Sequence, residues 1–246
     1  MNPSQLIVMD NAQALYVRAA EEIAHFASEA ICTHGELTLC LTGGTTPASS
    51  YELLATRFQL SVDWKEVQFF WGDERCVPPD DPSSNFGMAN RTMLSKLALR
   101  PEQIHRMRGE DEPAQAALEY ERELRAFFHI EQPGDFPRFN LLLLGLGENA
   151  HVASLFPRHP ALHEETRLAV AVVVEAAPSR RISLTMPVIN SAERVMFLVS
   201  GENKAAAVKN ILRGPADPEQ YPAQLVNPHS GKIVWLMDKA AASALE

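Results

Sequence analysis

The chain has 246 residues, with 22 Lys plus Arg against 31 Asp plus Glu and a formal charge of −9. Its 46% apolar and 22% charged residues are an ordinary globular composition, and a chain of this length buries about 72% of its unfolded surface, enough for a full core. The acidic balance excludes a general nucleic-acid or anionic-membrane surface, since both need a net basic face, so any anion site must be local.

Residues 6–9 form a short apolar run that reads as a strand, and Asp10 stands where a helix N-cap is expected. Ala12, Leu15, Ala19, Ile23, Phe26, Ala30 and Ile31 then recur at steps of mostly three and four. That is one apolar stripe on a long helix, which Gly35 should stop. Leu37, Leu39 and Leu41 alternate with Glu36, Thr38 and Cys40, a strand pattern. The turn Gly43-Gly44-Thr45-Thr46 leads into a helix, with Pro47 suited to its first position. Residues 67–71 read as a strand, 72–84 as a polar, proline-containing loop, and 85–97 and 113–128 as helices. The strongest buried-strand candidate is 139–146, and strands at 168–174, 182–186, 195–199 and 233–237 alternate with short helices.

This alternation predicts an α/β fold: a mainly parallel sheet flanked by helices on both faces. The polar segment 132–138 is too short for a linker, so residues 1–246 are expected to form a single domain. Three cysteines, Cys32, Cys40 and Cys76, with no Cys-x-x-Cys pair, argue against a disulfide framework or structural zinc and fit a reducing compartment. The start of the chain lacks the basic and apolar regions of a signal peptide. The longest apolar run, 168–174, is far short of the ~20 residues of a membrane helix. A cytoplasmic protein with no membrane partner is expected.

Four polar clusters, 43–46, 72–75, 145–151 and 200–204, fall at carboxyl ends of predicted strands. Ligands sit there in open parallel sheets. At the first, Gly43 and Gly44 let backbone approach an anion, and free N–H groups and the Thr45 hydroxyl donate; a tight turn with a Thr cap is the alternative. Neither a Walker motif nor a Gly-x-Gly-x-x-Gly fingerprint is present at this turn. Lys204 opposes the dipole of the helix it begins unless an anion lies between them; equally, Glu202 could neutralise it. Arg180-Arg181 before a strand is either a solvated edge or a phosphate clamp. In Asp73-Glu74-Arg75, side chains alternate, so Asp73 and Arg75 face one way and Glu74 the other, as a local ion-pair cluster or a polyol-binding pair. His151, after a glycine-containing loop, is either a base that takes a proton from water or a satisfied structural histidine. No His-Glu-x-x-His spacing occurs, so no catalytic metal is expected, and Ser154 lacks the Gly-x-Ser-x-Gly elbow of serine hydrolases.

Several strings together resemble the 6-phosphogluconolactonase family. They are Leu41-Thr42-Gly43-Gly44-Thr45-Thr46-Pro47, Phe70-Trp71-Gly72-Asp73-Glu74-Arg75, Ser84-Asn85-Phe86-Gly87-Met88, His151-Val152-Ala153-Ser154-Leu155-Phe156-Pro157, Arg181-Ile182-Ser183-Leu184-Thr185 and Gly201-Glu202-Asn203-Lys204. They run in order over nearly the whole chain. Glucosamine-6-phosphate deaminases share the glycine turn but usually lack the Trp-Gly-Asp-Glu-Arg string. The resemblance implies a Rossmann-like, deaminase-like fold. The implied reaction is hydrolysis of 6-phospho-D-glucono-1,5-lactone to 6-phospho-D-gluconate, in the oxidative pentose phosphate pathway, without metal or organic cofactor. It implies that Gly43, Gly44 and Thr45 are part of the sugar-phosphate pocket, with Arg181 and Lys204 as its cations. Asp73 and Arg75 would orient the substrate, and His151 would activate water. The family usually has Asp-Gly immediately before this His, where the chain has Asn149 and Ala150. Asn149 accepts a hydrogen bond without carrying charge, and Ala150 would be strained by roughly 1 kcal/mol if its φ is positive. Two alternatives stand beside lactone hydrolysis: a deaminase-isomerase acting on an amino-sugar phosphate, and a sugar-phosphate-binding protein of impaired catalysis.

Overall fold

In the computed structural model, which describes residues 4–245, the first apolar run is strand β1 (Ser4–Met9) and the apolar stripe is helix α1 (Ala12–His34). The cap is Asn11, not Asp10: the Asn11 side chain accepts from the Ala14 N–H at 2.9 Å and its carbonyl accepts the N–H of Leu15. Asp10 instead pairs with Lys239 at 2.6 Å. Gly35 ends the helix as expected, with φ 85° and its N–H on the Ile31 carbonyl.

Strand β2 (Leu37–Leu41) is followed by α2 (Thr45–Ala55), β3 (Val67–Trp71), β4 (Asp73–Arg75), α3 (Asn85–Thr92) and α4 (Pro113–Phe127). Pro47 is the third residue of α2 rather than the first; the first turn has no N–H partners to lose, so proline is tolerated there. The predicted helix 85–97 stops at Thr92 and continues only as a 3₁₀ turn at Leu94–Lys96. Then come β5 (Leu141–Leu144), β6 (Ala169–Val173), β7 (Arg180–Leu184), α5 (Met186–Ser191), β8 (Arg194–Val199), α6 (Ala205–Arg213), β9 (Lys232–Asp238) and α7 (Lys239–Ala242).

Six strands form one wholly parallel sheet in the order β1-β9-β8-β5-β2-β3. Side chains alternate between two apolar layers. Leu39, Phe69 and Leu141 pack with Leu15, Ile23 and Tyr51 on one face, while Cys40, Phe70 and Leu142 pack with Tyr120, Leu124 and Phe139 on the other. Strand β2 is therefore buried on both faces, Thr38 and Cys40 included. Thr38 stays satisfied because its N–H and hydroxyl both donate to the Asn140 side-chain oxygen at 2.9 Å.

The mainly parallel sheet is as expected, but two strands read as part of the same alternation, β6 and β7, lie outside it. They pair antiparallel with each other, and β7 pairs antiparallel with β4, making a separate three-stranded sheet. The segment between β6 and β7, residues 174–179, is too short for a parallel crossover, which needs a dozen or more residues. The predicted loop 72–84 thus begins with a strand; its three residues are all charged and carry no apolar signal. Among the described residues no helix is long and apolar enough to cross a membrane.

Candidate active site

Because β2, β3, β5 and β8 run parallel, the segments after them emerge at one edge of the sheet. A cavity of about 240 Å³ lies there, lined by Gly43, Gly44, Asp73, Arg75, His151, Arg181 and Lys204 among others. The four polar clusters thus converge. Thr45, the first residue of α2, and Asn149 stand outside the lining.

The glycine turn divides its labour. Gly44, at φ 111°, needs the left-handed region that other residues avoid. A Cβ on Gly43 would overlap the side-chain amide of Asn85. Glycine at 43 therefore makes room for Asn85, a need the sequence reading did not foresee, and Gly43 also lines the cavity.

The second sheet delivers the charged groups. Pairing of β4 with β7 sets Asp73 opposite Ser183 and Arg75 opposite Arg181. Asp73 and Arg75 face the cavity while Glu74 turns away. Glu74 accepts the N–H groups of Arg75, Asn85 and Phe86, each at 2.7 Å, and the Ser84 hydroxyl at 3.0 Å, so it anchors the start of α3. Burial nevertheless pushes its carboxyl above the usual range, against the pull of those hydrogen bonds. Arg180 is exposed and Arg181 buried, so the pair is neither a solvated edge throughout nor a double clamp. Arg75 donates to the Ser83 carbonyl at 2.7 Å, and Arg181 to the Pro178 carbonyl at 3.2 Å. Cross-strand like charges repel, and among the described residues no carboxylate lies within ion-pair distance of Arg75, Arg181 or Lys204. The alternative in which Glu202 neutralises Lys204 through an ion pair is thus not formed. Lys204 sits at the N-terminal boundary of α6, after Gly201 at φ 99°. Three cations against the single carboxylate of Asp73, none of them ion-paired to it, leave an excess of positive charge that suits an anion.

His151 rides on a strained loop. Ala150 has φ 65° and Ala153 φ 48°, each costing roughly 1–2 kcal/mol relative to the right-handed region. The strain foreseen at Ala150 is therefore present. The Asn149 side-chain oxygen lies 2.6 Å from His151 Nδ1 and also accepts the His151 backbone N–H at 3.3 Å. A backbone N–H can only donate, so the amide presents its oxygen and not its nitrogen. The ring then carries its proton on Nδ1 and keeps a lone pair on Nε2. The Phe156 ring stacks on the imidazole, centroids 4.0 Å apart, and the Arg181 guanidinium lies 5.5 Å over the same phenyl ring. Burial, then Arg181, Lys204 and Arg75, hold the His151 pKa down at about 4 against the opposing pull of Asp73. The imidazole is neutral at physiological pH.

A Cβ on Gly147 would overlap His151 Nδ1, so the ring occupies space that only glycine leaves. Gly147→Ala is expected to displace the imidazole and lower turnover by about 10²-fold, the scale of a misplacement near 1 Å. Turnover measured beside a circular dichroism spectrum checks this; native turnover in a folded variant would show that the ring does not sit against Gly147.

Sequence reasoning missed Asn85, Gly147, Ser154 and Phe156 as site-building residues. Asn85, Ser154 and Phe156 lie in the strings that carry the family resemblance, but only the fold shows which neighbours they touch. His159 and His163, four residues apart, do not share a ligand: His159 accepts the Ala161 N–H and His163 pairs with Glu219. Among the described residues no group of three His, Cys, Asp or Glu could hold a metal ion.

Comparison with known proteins agrees with this fold. The family described as glucosamine-6-phosphate isomerases/6-phosphogluconolactonase matches residues 10–235. A 6-phosphogluconolactonase of Synechocystis sp. is 40% identical over 242 residues, 98% of each chain. The crystal structure of 6-phosphogluconolactonase from Leishmania guyanensis superposes with a TM-score of 0.85 at 26% identity, covering 99% of each chain. A monomeric glucosamine-6-phosphate deaminase, with a TM-score of 0.81 at 22% identity over 98% of this chain and 99% of its own, shares the fold.

Proposed function

The chain belongs to the glucosamine-6-phosphate isomerase/6-phosphogluconolactonase family, and we propose that within it the chain hydrolyses 6-phospho-D-glucono-1,5-lactone to 6-phospho-D-gluconate with a water activated by His151. The reading is supported by one juxtaposition above all: a neutral imidazole, protonated on Nδ1, in a cavity that also holds three cations without carboxylate partners. A lactone of a sugar phosphate needs both halves, an anion anchor and a base.

The phosphate binds between Lys204, Arg181 and the Gly43-Gly44-Thr45 turn, where N–H groups at the start of α2 add donors. Asp73 accepts sugar hydroxyls and Arg75 holds the ring or the developing oxyanion. His151 Nε2 takes a proton from water as its oxygen attacks C1. The resulting imidazolium then protonates the departing ring oxygen, opening the ring to the acid. Asn149 holds the ring through Nδ1 in both states.

The deaminase reading needs a further carboxylate base for ring opening and enolisation. Glu74, beside Asp73, faces away from the cavity with both oxygens committed to hydrogen bonds. The test is a lactonase assay on freshly made 6-phosphogluconolactone, corrected for spontaneous hydrolysis, run beside ammonia release from glucosamine 6-phosphate. Enzyme-dependent acid formation and no ammonia are expected. Ammonia release would favour the deaminase, and binding without either reaction would favour an impaired binder.

A further inference from the structure

Asp73 is held more completely than orientation of a substrate requires. Its side chain is almost fully buried yet lines the cavity. Ser154, with no exposed surface, donates its hydroxyl to Asp73 Oδ2 at 2.6 Å. The Asn85 amide donates to Asp73 Oδ1 at 3.0 Å and to the Asp73 carbonyl at 2.8 Å. Both donors are themselves fixed. The Ser154 N–H donates to the hydroxyl of Ser183, the residue opposite Asp73 in the β4–β7 pair. The Asn85 N–H donates to Glu74, and its side chain fills the space left by Gly43. None of these partners is a cation, and among the described residues no ion pair engages Asp73. With no cation in contact, the Asp73 charge is not tied up in an ion pair and acts across the cavity that Arg75, Arg181, Lys204 and His151 share.

That field has a target. When His151 takes a proton it becomes a cation among three others, Arg75, Arg181 and Lys204. Asn149 orients the ring but carries no charge. Asp73 is an acidic group that favours the protonated ring, and it lines the same cavity. We propose that Ser154 and Asn85 are positioning residues that fix the rotation of the Asp73 carboxylate, making it the counter-charge to His151 during the reaction. The proposal rests on the assignment of His151 as base.

If the counter-charge comes from Asp73, a second carboxylate beside Nδ1 makes it redundant. Ser154→Ala frees one oxygen of Asp73 and is expected to lower kcat about tenfold with little change in KM, the pattern of an interaction made only in the transition state. In an Asn149→Asp background the same substitution is expected to cost less than about threefold, because coupled residues are not additive. An equal fold-loss in both backgrounds, a native kcat for Ser154→Ala, or a loss carried by KM alone would overturn the proposal. Should Ser154→Ala fail to fold, Ser154→Cys, close in shape and a weaker donor, is read by the same two comparisons. His151→Ala measured alongside separates the claims: if it keeps native turnover the base assignment fails, whereas an inactive His151→Ala with equal Ser154→Ala losses in both backgrounds defeats only the counter-charge.

Discussion

His151→Ala is expected to lower turnover of 6-phosphogluconolactone by about 10²–10⁴-fold while leaving affinity for 6-phosphogluconate nearly unchanged. The expectation combines three features of the site. The ring is neutral, so it has a lone pair to offer. Its tautomer is fixed by Asn149, so that lone pair is on Nε2. Its plane is fixed by stacking on Phe156 and by the space that Gly147 leaves. A loss of this size is about 2.7–5.4 kcal/mol of transition-state stabilisation. In the proposed binding mode the cations and the glycine turn anchor the product, and they do not need the imidazole. Steady-state turnover and calorimetric titration with 6-phosphogluconate make the check. Native turnover in His151→Ala would remove the base from the mechanism.

Lys204→Ala is expected to weaken 6-phosphogluconate binding by roughly 10- to 150-fold, the worth of about 1.5–3 kcal/mol for a hydrogen bond to a charged group. Binding of unphosphorylated gluconate should change little. Lys204 begins α6 after the Gly201 turn, where a cation opposes the helix dipole, and no carboxylate offsets it among the described residues. A bound phosphate reverses that balance by answering both the ammonium and the helix end. Titration of both ligands into wild type and variant decides it; an equal loss for the two would place the phosphate elsewhere.

The parallel sheet was legible because its strands are apolar runs separated by helical stripes, and β5 shows this most plainly with four leucines in succession. The second sheet was not, for reasons visible in its residues. Strand β4 is Asp-Glu-Arg, a pattern that hydropathy assigns to a loop, and β7 begins with two arginines. Only the short β6–β7 connection hinted at antiparallel pairing. The site shows the same division. Gly44, His151 and Lys204 could be found because each stands at the end of a predicted strand. The contacts of Asn85, Ser154 and Phe156 could not, because they join segments distant in sequence: Ser154 reaches Asp73 and Asn85 packs on Gly43. Arg181 was legible as a cation but not as a buried one, since its burial depends on which strand lies opposite.

The central claim is that a neutral His151, oriented by an uncharged amide, takes the proton from water. It is tested most directly by the pH dependence of kcat/KM for wild type and Asn149→Asp, measured together so that ionisation of the substrate phosphate cancels in the comparison. A carboxylate beside Nδ1 favours the imidazolium and raises the ring pKa. The base form of wild-type His151 should persist as pH falls and be lost only at about 4. In Asn149→Asp the corresponding loss should begin at distinctly higher pH. Profiles that coincide in their acidic limbs, or a variant limb displaced to lower pH, would contradict the assignment of His151 as the base.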